Sequence, residues 1–141
     1  MTRISSTFRR SAAVLLLLAA TSFLSSEAAS ELGASRWEGL YRSAEGEIMR
    51  IRSYGDIISL DIFTRQNGAW ILTTAWATNM KKSDYAEFRQ RAEPDGLWLS
   101  LSFKKDGALL ETHEPDLPKN EQSFYSRLSV AESKLVTGLP E

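Results

Sequence analysis

Between residues 36 and 129 the chain is cut into short extended runs by turn-forming residues, and no interval holds the dozen or more residues a crossover helix needs. Parallel strand pairing is therefore excluded, and each run must pair antiparallel with its neighbour. The candidate strands are residues 36–42, 47–53, 57–64, 70–78, 85–92, 97–103, 108–113 and 123–129. Between them stand Asn67-Gly68, Asp95-Gly96, Asp106-Gly107, and the prolines Pro94, Pro115 and Pro118. Asn-Gly and Asp-Gly accept the left-handed dihedrals of tight hairpins, and proline presets φ at a turn.

Within the runs the apolar period is two. Ile58, Leu60 and Ile62 oppose Ser59 and Asp61; Leu97, Leu99, Leu101 and Phe103 oppose Trp98, Ser100 and Ser102; Trp70, Leu72, Thr74 and Trp76 oppose Ile71, Thr73, Ala75 and Ala77. One face packs and the other is largely wet. A flat sheet of eight such strands would expose two edges, which closure removes. The expected fold class is all-β, an antiparallel up-and-down β-barrel of about eight short strands. A β-sandwich, or a barrel of seven strands, is the alternative. Residues 132–139 read as a short helical turn or tail, with Leu135, Val136 and Leu139 available to cover a barrel end.

The start of the chain reads differently. Arg3, Arg9 and Arg10 precede a purely apolar run over residues 12–20, and small residues follow at Ser26, Ala28, Ala29 and Ser30. This is the layout of a cleavable export signal. The apolar run is shorter than the roughly 20 residues needed to span a bilayer, so no stable transmembrane anchor is expected. The pair Arg9-Arg10 is compatible with either an ordinary or a twin-arginine route. The expected organisation is a signal peptide over residues 1–29, then a single all-β domain over 30–141 with a short C-terminal tail, located in the periplasm or secreted.

Cleavage there takes the balance from 17 basic and 18 acidic residues to 14 and 17. A slightly acidic domain argues against nucleic acid, whose phosphates are bound through concentrated lysine and arginine. Cysteine is absent, which removes disulfides, thiolate ligands and a cysteine nucleophile. The core must hold the domain alone.

Catalytic signals are sparse. His113 is the single histidine, flanked by Glu111 and Glu114, and reads as a solvated strand-end residue; one histidine does not make a zinc site. The acids do not match calcium-loop spacing, and glycines form neither a dinucleotide fingerprint nor a P-loop. No metal, cofactor or catalytic residue is therefore assigned. A carboxylate pair drawn from Asp61, Glu87, Glu111 and Glu114 keeps a hydrolase of envelope polymers open as an alternative. Alternation turns Asp61 and Glu87 outward, as ordinary surface acids.

Aromatic residues are the notable enrichment. Trp98 alternates against Leu97, Leu99 and Leu101 and so faces outward, and the same outer surface carries Ile71, Ala75 and Ala77. Trp37, Tyr41, Trp76 and Trp98 are the candidate ligand- or partner-binding residues, as aromatic contacts rather than catalysts.

The segments Trp37-Glu38-Gly39-Leu40-Tyr41, 47–51, 70–77, Ala86-Glu87-Phe88 and 97–103 resemble small exported bacterial β-barrels of the lipocalin-like or avidin-like kind. The opening aromatic, glycine and aromatic of that group map to Trp37, Gly39 and Tyr41. The resemblance implies binding of a small hydrophobic ligand or a polymer, or inhibition of an envelope enzyme such as a periplasmic lysozyme. The chain departs from lysozyme-inhibitor barrels in lacking their cysteines, and from larger lipocalins in being too short for their wide cavity. The expected function is an exported binding or accessory protein acting through a barrel surface or end, with an envelope protein or small hydrophobic ligand as partner. A structural, oligomeric envelope component is a further alternative.

Overall fold

The computed structural model describes residues 33–141; the expected signal over residues 1–29 lies outside them. After a 3-10 turn at Ala34–Trp37 come eight strands: β1 Gly39–Ser43, β2 Ile48–Tyr54, β3 Ile57–Gln66, β4 Ala69–Lys82, β5 Tyr85–Phe88, β6 Trp98–Lys104, β7 Gly107–His113 and β8 Glu121–Arg127. Each pairs antiparallel with the next, and β8 returns to β1 through Tyr41↔Arg127 and Ser43↔Tyr125, which closes the barrel. The up-and-down topology expected from the short connections is the one observed. At Asn67 and Gly68 φ is 52° and 80°, the left-handed pair that a tight β3–β4 turn demands.

Period-two alternation fills the barrel. Met49 and Ile51 from β2, Ile58, Leu60 and Ile62 from β3, Phe88 from β5, Leu99, Leu101 and Phe103 from β6, and Leu110 from β7 form one buried cluster with Tyr41 and Tyr125. Both phenols keep their polar tips satisfied. Tyr41 donates to the Trp37 carbonyl and Tyr125 to the Glu47 carboxylate, each at 2.7 Å. Burial pushes the Tyr41 hydroxyl up to about 12, opposed by nearby Arg127. Burial and the Glu47 carboxylate push Tyr125 upward as well, so both stay neutral donors. Gly107 lies tight against β8: a Cβ there would collide with the Tyr125 carbonyl.

The structure corrects several local expectations. Arg36 and Trp37 belong to the 3-10 turn rather than to β1, and β5 ends at Phe88 instead of reaching residue 92. β4 is longer than expected. The β3–β4 register shifts between Ile62 and Phe63, leaving Thr73 as an extra residue whose hydroxyl donates to the Ile62 carbonyl. The extra residue flips the pleat. Thr74 and Trp76 therefore pair with the inward Ile62 and Leu60, whereas Leu72 and Trp70 pair with Phe63 and Arg65 on the outer face. The four residues expected on one face are split two and two.

The tail is likewise placed differently. Helix α1, Val130–Lys134, opens with a capping box in which Ser129 and Glu132 satisfy each other's backbone N–H groups. Beyond it, Val136 and Leu139 pack on an outer-face patch of Ile48, Phe63 and Leu128, with Leu40 and Trp70, rather than on a barrel end. Trp70 Nε1 donates to the Thr137 carbonyl at 3.1 Å and Arg50 Nη1 to the Pro140 carbonyl at 2.9 Å, which latches the tail. Leu135 stays 80% exposed. Among the described residues no helix is long and apolar enough to cross a membrane.

Candidate functional site

The barrel end that carries the β5–β6 and β7–β8 connections holds an open pocket of about 360 Å³, lined by Arg89, Asp95, Trp98, His113, Glu114 and Asn120 among others. Its frame is the β6–β7 hairpin, whose register sets Trp98 directly opposite His113. The two rings stack 3.6 Å apart with their planes 4° from parallel. On the other side of the indole lies Arg89, just beyond β5, with its guanidinium carbon 3.8 Å from the ring centroid. The result is a three-layer stack of cation, indole and imidazole on the outside of the sheet. The indole N–H groups of Trp37 and Trp70 donate to the carbonyls of Ser83 and Thr137, whereas that of Trp98 has no acceptor among the described residues.

Beside the stack runs a polar row. Pairing brings Glu87, Ser100, Glu111 and Gln122 into line across β5, β6, β7 and β8. The nearly buried Ser100 hydroxyl lies 3.0 Å from His113 Nε2, and Glu111 Oε1 lies 3.7 Å from the same nitrogen. Glu111 Oε2 accepts from Asn120 at 3.3 Å and from Gln122 at 3.2 Å. A serine, a histidine and an acid are thus adjacent, but a catalytic triad needs serine and acid on opposite ring nitrogens, and here both share Nε2. The histidine is positioned to order the row.

Glu87 is clamped by the Tyr85 hydroxyl at 2.8 Å, Lys81 at 3.3 Å and Arg89 at 3.4 Å. The Tyr85 hydrogen bond, reinforced by Lys81 and Arg89, holds its carboxyl below the usual range against the opposing effect of desolvation. Burial, followed by the Glu87 carboxylate, raises the Tyr85 hydroxyl. Glu87 and Glu111 sit two strands apart, roughly 10 Å between backbones. A general acid needs a raised pKa, and Glu87 is driven the other way. Asp61 is similarly committed: it faces outward as expected but is only 7% exposed, held by Arg50 at 3.0 Å and Arg52 at 2.8 Å. Neither acid is an ordinary solvated one. Among the described residues no group of three or more acidic or histidine side chains is placed to hold a metal.

The four aromatic candidates do not form one site. Tyr41 is wholly buried in the core; Trp37 is half-buried, stacked on Phe103 at 4.7 Å across the opposite barrel end. Trp76 is half-buried against the core from β4, and only Trp98 reaches the pocket. The sequence reading set His113 aside as a solvated residue, and it missed Arg89. The partnership of Trp98 with His113 was within reach of hairpin arithmetic: a tight turn at Lys105-Asp106 pairs Lys104 with Gly107, and counting back six pairs Trp98 with His113. Compared with protein-family models, curated proteins and solved structures, the chain matches none.

Proposed function

We propose that the chain is an exported binding or accessory protein that engages an envelope protein through the rim of β5, β6 and β7. The observation that carries this reading is the Arg89, Trp98 and His113 stack beside an open pocket. Tryptophan and arginine are the side chains that most often anchor interfaces, and a side chain already ordered by stacking loses little freedom on binding. The Trp98 indole N–H, without an acceptor among the described residues, and the carboxylates of Asp95 and Glu114 supply polar contacts for orientation.

A closed eight-stranded barrel fits the lipocalin-like or avidin-like resemblance. In those proteins a small hydrophobic ligand would enter the barrel, yet here Tyr41, Phe88, Leu101 and Phe103 occupy the interior. That filling favours a surface contact with a protein over an internal ligand, and inhibition of an envelope enzyme is one form such contact takes. Export to the periplasm rests on the leader, with Arg9-Arg10 before the apolar run and Ala28-Ala29-Ser30 at its end.

Affinity capture from an envelope extract tests the reading, using the wild-type protein, Trp98→Ala and Arg89→Ala. The wild type is expected to retain a defined partner that both variants lose. Recovery of the same partner at unchanged yield by both variants would contradict it. For export, Edman sequencing of the mature protein is expected to begin at Ser30 or within a residue or two of it; an intact Met1 would overturn that part.

A further inference from the structure

The barrel is closed, but its β4–β5 seam is short. β4 pairs with β3 along almost its whole length, whereas β5 meets it only at Met80↔Ala86 and Lys82↔Tyr85. Among the described residues, residues 69–79 thus have a strand on one side only. The Met80 N–H donates to the Asp56 carbonyl on the β3 side at 3.0 Å. Backbone groups alternate edges along an antiparallel strand, so Ala75, Ala77 and Asn79 turn theirs to the unpaired side. All three residues are exposed, as are residues 89–95, which form no strand pairing there.

An unpaired row of N–H and C=O groups is a template for another strand, and proteins ordinarily blunt it with lysine, proline or bulges. Residues 74–79 contain no charge, no proline and no bulge. Their sequence also identifies the partner. Thr74-Ala75-Trp76-Ala77-Thr78 reads the same in both directions. Laid antiparallel on a second copy about a two-fold axis at Trp76, it sets Ala75 against Ala77 and Thr74 against Thr78, with like residues meeting throughout. Cross-strand threonine pairs are favourable, and a two-fold contact requires self-complementarity of this kind. Lys81 and Lys82 fall at opposite outer ends of the seam.

We propose that the open edge of β4 is a homodimer seam, joining two barrels by antiparallel pairing centred on Trp76. The half-buried Trp76 becomes fully covered there.

Sedimentation velocity of the full chain over a concentration series tests the seam, with Ala77→Pro, the double variant Ala75→Lys/Ala77→Lys, and Val130→Lys as a control off the edge. Ala77→Pro removes an N–H on the open side and leaves β3 pairing in place; the lysines point outward from the sheet, so the double variant keeps the test valid if the proline disturbs folding. The expected result is a dimer for wild type and Val130→Lys, loss of the dimer in both edge variants with native circular dichroism, and amide protection at Ala75 and Ala77 that rises with concentration. A monomer at every soluble concentration, a dimer untouched by both edge variants, or an edge protected only by an unrelated extended peptide would overturn it.

Discussion

Two outer patches of this barrel carry large side chains, and they end differently. Over β1–β4, Ile48, Phe63 and Trp70 are sealed by the chain's own tail through Val136 and Leu139. Over β5–β7, Trp98 is flanked by Arg89 and His113 and opens on a pocket, and the C-terminal tail packs elsewhere. The first patch is a second small core laid outside the barrel, and its aromatics act on stability. The second is ordered by polar and stacking contacts, and its aromatic is available to something else. An outward aromatic on a β-sheet is therefore informative only once the rest of the chain has been accounted for.

The contrast makes graded predictions. Phe63→Ala should be the most damaging change, costing about 3–5 kcal/mol in urea unfolding, because the ring is fully buried between sheet and tail; a loss below about 1 kcal/mol would mean that the tail does not seal the patch. Ending the chain at residue 135 removes Val136, Leu139 and both latching carbonyls, and should cost about 2 kcal/mol while leaving partner capture intact. Trp98→Ala should show the reverse pattern, with partner capture lost for a stability change of about 1 kcal/mol, the size of a stacking contact. Equal effects of these two changes on stability and on capture would erase the distinction between the patches.

The smallest effect is one of pH. Because Glu87 has a lowered carboxyl pKa in the folded protein, it contributes stability above the unfolded carboxyl pKa, and that contribution is lost as pH falls through the lowered folded value. Urea midpoints measured from neutral to acid pH should fall less steeply in Glu87→Gln than in wild type. Parallel curves would show that the Tyr85, Lys81 and Arg89 clamp is not formed in solution.

The closed barrel was legible because alternation is local: Leu99, Leu101 and Phe103 face inward as their spacing requires, and Asn67-Gly68 makes the turn its dihedral preferences allow. The bulge was not, since nothing in Thr73-Thr74 marks which threonine is the extra residue, and one added residue re-aims Trp70 and Leu72. The tail's landing place depends on pairing Trp70 with Thr137 and Arg50 with Pro140, contacts between distant parts of the chain that no local pattern encodes. At the candidate site, outward placement of Trp98 follows from its leucine neighbours and its pairing with His113 from the hairpin. Arg89 was hidden because β5 ends early, after Phe88, and frees the next side chain to fold over the indole.

Hydrogen–deuterium exchange of the protein in envelope extract, compared with buffer, tests the division between the two patches most directly. The account predicts new protection confined to residues 89–98 and 113–120, with none gained across residues 136–141. Protection centred on the tail-covered patch, or no change around Trp98, would contradict it.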